Sequence, residues 1–363
     1  MSLKPVLIAC TILLLTACVT PAPETLVPSL TPSEAPRRTP TPAPTATATP
    51  TPEPTATPVP YLATVLARGK VTCGLDPTRP DLAGFDADVC RAIAAALFDD
   101  PAAIDLRPID SIEAAAALAA AEIDVYLGPI EAAPADADSG PLLFVDAVSL
   151  IARNDVGISQ ISDLKYATVC LIQDSVEERT FDETAQANRV RYQPFLFNAG
   201  DDDAMYSTYD EGRCDAVVDN RIRLAQRHPA LSAPREQALI DLALPIGRRG
   251  ALTSAADANW VMIVDAVRSG LIRAEELGVT SSSLEKALAG DEADVRHLLG
   301  VEGGIGASLG LTDDFVARAV RHVGNYGEVY TRSFGSLPRG PNALANDGGQ
   351  LSAGPLDSGP LRQ

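Results

Sequence analysis

VTCGLDPTRPDLAGFDADVCRAIAAALF, residues 71–98, reads as a strand, a loop and a helix in succession. The run Val71-Thr72-Cys73-Gly74-Leu75 is short and apolar, as a buried strand is. Asp76, Pro77, Pro80 and Gly84 supply turn chemistry to a polar loop. From Asp88 to Phe98 the pattern turns helical, with Val89, Ile93 and Leu97 on one face. In open α/β sheets ligands sit at the carboxyl ends of strands, where this loop lies. An ordinary βα unit without a ligand has the same local pattern, so the rest of the chain decides.

Downstream the alternation repeats. Residues 61–69 read as a helix leading into the first strand, and 104–109 as a second strand. Residues 111–121 (SIEAAAALAAA) form an alanine-rich helix capped by Asp110 or Ser111, with Glu113 in its first turn. A strand over 122–128 completes βαβαβ, which favours a parallel sheet. The apolar run 142–151 (LLFVDAVSLI) is a connector to a second α/β unit. That unit has strands over 167–172, 192–197 and 214–218, and helices over 175–187 and 203–211. Asp219 and Asn220 follow its last strand, and 242–246 crosses back. Residues 259–269 and 272–277 read as two further helices. Two α/β lobes joined by two connectors make a hinged clamp with a ligand crevice between them.

The amino-terminal sixty residues have a different character. Lys4, the apolar run 6–15 and Leu15-Thr16-Ala17-Cys18 describe an export signal ending at a cysteine. The box Leu-Thr-Ala-Cys resembles that of bacterial lipoproteins, in which Cys18 receives lipid and becomes the mature amino terminus. Residues 19–60 are dominated by Pro, Thr and Ala and are expected to be a disordered, semi-rigid tether. The 363-residue chain carries a formal charge of −19, which argues against nucleic-acid binding. Its three histidines, His228, His297 and His322, show no metal-ligand spacing.

Apart from Cys10 and Cys18, four cysteines remain: Cys73, Cys90, Cys170 and Cys214. An even count in an exported chain reads as disulfides, with three pairings open. Cys73 with Cys90 would clip the opening loop, and Cys170 with Cys214 the second α/β unit. Zinc is the competing reading, but no CxxC pair exists.

Several strings stand out along the chain: Ala67-Arg68-Gly69-Lys70-Val71-Thr72-Cys73-Gly74, Gly84-Phe85-Asp86-Ala87-Asp88-Val89-Cys90, Tyr209-Asp210-Glu211-Gly212-Arg213-Cys214-Asp215-Ala216 and Ala274-Glu275-Glu276-Leu277-Gly278-Val279. Arg296-His297-Leu298-Leu299-Gly300, Val323-Gly324-Asn325-Tyr326-Gly327-Glu328-Val329-Tyr330 and Arg339-Gly340-Pro341-Asn342 extend the set. In these strings the chain resembles the general amino-acid-binding proteins of bacterial ABC importers, solute-binding protein family 3, and the resemblance carries expectations. It implies the type II periplasmic-binding fold, with residues 61–148 plus 249–349 as one lobe, 149–248 as the other and 350–363 as a disordered tail. It also implies cysteine pairs at these positions, a monomer, and an ABC permease with its ATPase as partners.

The pocket departs from that pattern. The family places an arginine after the strand that ends here near Leu127, where it grips the ligand's α-carboxylate. This chain has Gly128-Pro129-Ile130-Glu131. The family's Gly-Thr-Thr helix start is replaced by Gln173-Asp174-Ser175; Ser175 still caps the helix, whereas Asp174 repels an anion. The loop's stacking aromatic is missing, and Phe85 lies beyond it. Asp219 stands where the family's acid holds the α-amino group. The expected ligand-binding set is Asp219, Ser175, Gln173, Asp76, Gly128 and Ile130, with a charge pattern better suited to an amine than to a zwitterion. Arg79, Arg221 or Arg223 would have to replace the missing guanidinium. A solvated strand-end carboxylate is the plain alternative for Asp219.

Other motifs carry less. Residues 303–310 are glycine-rich but lack the strand and spacing of a phosphate loop. Asp201-Asp202-Asp203 has no EF-hand spacing and reads as a turn and helix start. No GxSxG is present, and no Cys/His pair stands out as a nucleophile with its base. An exported enzyme on this scaffold would have only Glu131 or Asp174 as its acid or base. The sequence therefore points to a lipid-anchored importer component for an amino acid or related amine, with no catalytic residues, metal or cofactor. The alternative is the same fold repurposed as a sensor or envelope interaction protein.

Overall fold

The computed structural model describes residues 60–130, 137–138 and 142–353. The signal, Cys18, the tether through residue 59, and Glu131 lie outside the described residues. The described residues between 60 and 353 group as one compact unit.

The chain opens with α1 (Tyr61–Arg68), β1 (Val71–Leu75), α2 (Ala83–Phe98), β2 (Ile104–Pro108), α3 (Ser111–Ala119) and β3 (Val125–Pro129). After the two-residue β4 (Ala137–Asp138) comes the long β5 (Leu142–Arg153). Then β6 (Thr168–Ile172), α4 (Val176–Ala187), β7 (Gln193–Phe197), α5 (Asp202–Asp210), β8 (Ala216–Asn220) and α6 (Arg221–Arg227) follow. The 18-residue β9 (Gln237–Ser254) leads into α7 (Ala258–Glu276). Five shorter helices close the chain: α8 (Leu284–Leu288), α9 (Ala293–Leu298), α10 (Gly306–Leu309), α11 (Phe315–Val323) and α12 (Tyr326–Phe334).

The strands lie in the order β2-β1-β3-β9-β5-β8-β6-β7, with β4 on β9. β2, β1 and β3 are parallel, as are β8, β6 and β7. Between these groups β5 and β9 run antiparallel to one another and to their outer neighbours. The two connectors expected from sequence are thus one paired ribbon. Such a ribbon lets two parallel half-sheets with separate apolar cores bend relative to each other. Both cysteine pairs are closed, Cys73–Cys90 and Cys170–Cys214.

Several boundaries differ from the sequence reading. Helix α2 starts at Ala83 rather than Asp88, because Phe85 is a core residue. It is 1% exposed, stacks on Phe334 and packs at a tilt against Phe144, so it is not free to meet a ligand. Asp110, not Ser111, caps α3, accepting from the N–H groups of Ile112 and Glu113. Asp219 and Asn220 lie within β8, not beyond it. Leu351, which the sequence reading placed in the tail, is 1% exposed and bridges to Leu344. The closing segment also holds the ribbon, since Asn342 exchanges two hydrogen bonds with the backbone of Val145.

Residues 259–277, read as two helices, are one. Gly270 does not break it; a Cβ there would stand 2.7 Å from Cγ2 of Val316, so the glycine lets α11 approach closely. Gly270→Ala is expected to destabilise the fold by about 1–2 kcal/mol despite alanine's better helix propensity, because overpacking outweighs it. Urea denaturation measures the sign.

Candidate functional site

A cavity of about 530 Å³ opens between the loop after β1 and the carboxyl ends of β7 and β8. The first half contributes Thr78, Pro80 and Asp81. From the second come Gly200, Asp202, Asp203 and Tyr206 around the start of α5, with Asp219 from β8. Arg223, Gln226 and Arg227 line it from α6, which begins where β8 ends. Asn220 forces that start, its side chain accepting from the N–H of Ile222.

Asp219 is 2% exposed, with its Oδ1 crowded by donors and its Oδ2 holding a single hydrogen bond. It accepts from Tyr206 Oη at 3.0 Å, from the N–H of Asn220, and from Arg223 Nε at 2.9 Å. Burial and the neighbouring Asp219 push the Tyr206 hydroxyl well above its ordinary range, so it stays a donor. Arg223 also reaches Glu177 at 2.7 Å. Burial raises the Glu177 carboxyl, and the Arg223 charge offsets part of that rise. At the mouth, Arg227 pairs with the exposed Asp203 at 2.6 Å and lies over the Tyr206 ring. Exposed pairs of this kind are weak.

Behind the other wall, Asp76 folds the loop that carries Thr78, accepting from the N–H and hydroxyl of that residue. Behind it lies Arg249 of β9, 5% exposed, which donates to Asp86 at 3.0 Å and to the carbonyl of Leu127. Burial raises the Asp86 carboxyl to about 6 even though Arg249 pulls it down. Arg79 ties the same loop to the ribbon, bonding Asp81 and Asp146, and Asp146 also accepts from Asn220. Asp146 and Arg249 escaped the sequence reading. Their signal was an acid within LLFVDAVSLI and a basic pair within LALPIGRRGALT, charges that interrupt otherwise apolar crossing strands.

The remaining expected residues sit apart from this cavity. Ser175 caps α4, accepting from the N–H of Glu178 at 3.0 Å. The Glu178 carboxylate returns to the N–H of Asp174 at 2.6 Å, and Gln173 donates to Asp174. That helix start therefore holds the chain's own carboxylate. Gly128 is buried opposite Gly250 in the β3–β9 ladder, beneath the ring of Tyr126, and Ile130 is half-buried. Gln173, Ser175, Asp76, Gly128 and Ile130 are not among the cavity's lining residues. Of the proposed replacement arginines, Arg221 is 2% exposed and pairs with Asp241. Among the described residues no cluster of three metal-ligating side chains occurs, and no helix is long and apolar enough to cross a membrane.

Parallel half-sheets joined by a crossing ribbon, with a polar cavity at the strand ends between them, define a type II periplasmic-binding protein. No family model matches the chain. It is 30% identical to the general L-amino acid-binding periplasmic protein AapJ of Rhizobium johnstonii, over 81% of this chain and 92% of that one. It is 31% identical to the glutamate/glutamine/aspartate/asparagine-binding protein BztA of Rhodobacter capsulatus, over 81% and 93%. A periplasmic binding protein from Brucella ovis, solved with glutathione bound, superposes with a TM-score of 0.62 at 29% identity, covering 82% of this chain and 99% of that one. The chain belongs to the substrate-binding proteins of amino-acid ABC transporters, solute-binding protein family 3.

Proposed function

We propose that this protein captures an amino acid or related amine in the cavity between its half-sheets and delivers it to an ABC permease driven by its ATPase. The observation that carries the reading is Asp219: a buried carboxylate at a strand end, on the wall of a cavity large enough for an amino acid. The relatives named for amino-acid binding support the ligand class. In this reading residues 61–148 with 249–349 form one lobe and 149–248 the other, and ligand closes them. The protein acts as a monomer and performs no chemistry on its ligand. Leu15-Thr16-Ala17-Cys18 supports anchoring through lipid on Cys18, with residues 19–60 as the spacer from the membrane's outer face.

The test is a thermal-shift screen of the full chain, disulfides intact, against the L-amino acids and polyamines. Ligand at a hundredfold over its dissociation constant should stabilise the fold by about 2.7 kcal/mol. Asp219→Asn keeps the shape but removes the charge, and is expected to weaken binding at least tenfold, by about 1.5–3 kcal/mol. A folded wild-type chain that shifts with none of these compounds would sink amino-acid binding and favour the repurposed receptor.

A further inference from the structure

One guanidinium on the cavity wall has a free edge. Arg223 turns Nε and Nη2 onto Asp219 and Nη2 onto Glu177, which leaves Nη1 without a partner among the described residues. Its side chain is 36% exposed, while its two carboxylate partners are only 3% and 11% exposed. The partners fix the plane of the fork, and Arg223 is among the residues that line the cavity. The other arginines are committed elsewhere. Arg79 spans Asp81 and Asp146, Arg249 is buried behind Asp76, and Arg221 is sealed against Asp241. Arg227 stands at the mouth on an exposed acid.

We propose that Arg223 receives the ligand's carboxylate, so that Asp219 and Arg223, four residues apart and already paired, form a single receptor for a zwitterionic head group. The ammonium lies against the acid and the carboxylate takes the open guanidinium edge. The planar fork suits a carboxylate, and holding it in place beforehand lowers the ordering cost of binding. The residue after β3 that the family uses for this purpose is absent, and the replacement comes from the opposite wall. This inference rests on the amino-acid reading and narrows it: the ligand is an amino acid rather than an amine lacking a carboxylate.

The test is isothermal titration of the full chain with L-glutamate, L-glutamine, L-arginine and L-leucine, each beside its own α-carboxamide. The wild type is expected to prefer the acid of every pair it binds. Arg223→Gln should weaken the acid roughly ten- to a hundredfold and bring acid and amide to equal affinity. A structural role alone would weaken both and preserve their ratio. Arg223→Lys keeps a charge against Asp219 and Glu177, and should show a reduced preference if the glutamine variant does not fold. An unchanged acid-to-amide ratio in the variants overturns the proposal, with the amino-acid reading intact. So does tighter binding by Arg223→Gln, which would make Arg223 a plug on Asp219. No binding of any amino acid by the wild type overturns the amino-acid reading and this inference with it.

Discussion

Arg249→Met is expected to lower stability by about 3–5 kcal/mol at neutral pH, since breaking a buried ion pair strands its partner. The partner is Asp86, 3% exposed, on α2, with Asp76 close behind. The pH dependence separates this effect from simple loss of packing. In the wild type, Asp86 titrates at about 6 against an ordinary 3.8, so between these values the folded chain binds more protons than the unfolded one. Its share of stability is therefore present at low pH and falls as pH rises through about 6. Arg249 holds that value down, so without it the folded carboxyl titrates higher still. The penalty of the variant should be largest above neutrality and shrink toward about pH 4, where Asp86 is protonated with or without the arginine. Urea denaturation of both proteins across that range measures it. A penalty independent of pH would mean that Arg249 acts by packing alone.

The fold was legible because its apolar periodicities are local. The strands and helices of the two α/β units declared themselves by spacing through α5 and β8, and the connectors by β-rich composition, whereas α6 and α8–α12 gave no separate signal. Misreadings arose where tertiary packing overrode a local signal. Gly84 and Gly270 look like helix breakers, yet both lie inside helices, the second because α11 needs the room. The site was harder, for a physical reason. Sequence marks which residues end a strand, and Asp219 does stand at the end of β8, on the cavity wall. It does not mark which charges face one another across a cleft. Arg223 was one of three arginines with equal claims, and only its partners and its open edge distinguish it. Ser175 was right as a helix cap, but the N–H of Asp174 just before it is taken by the Glu178 carboxylate, four residues on and invisible as a competitor until the turn closes.

The disulfides bear on the two walls unequally, and this gives the second large effect. Cys170–Cys214 closes a loop of 44 residues and Cys73–Cys90 one of 17. By chain entropy the longer clip is worth about 4 kcal/mol and the shorter about 3. The longer loop contains α4, β7 and α5, hence Gly200, Asp202, Asp203 and Tyr206 of the cavity wall. Cys170 lies on β6, which pairs with β8, so the clip pins the strand that presents Asp219 to the elements that face it. The shorter loop contains Thr78, Pro80 and Asp81, but Arg79 secures that segment independently to Asp146. Replacing Cys170 and Cys214 with alanine should therefore cost about 4 kcal/mol and also weaken ligand binding. The Cys73 and Cys90 double variant should lose about 3 kcal/mol and bind nearly as the wild type does. Urea denaturation gives the first quantity and titration of the folded variants the second. Equal losses of affinity in both variants would show that the clips act on the molecule as a whole rather than on one wall.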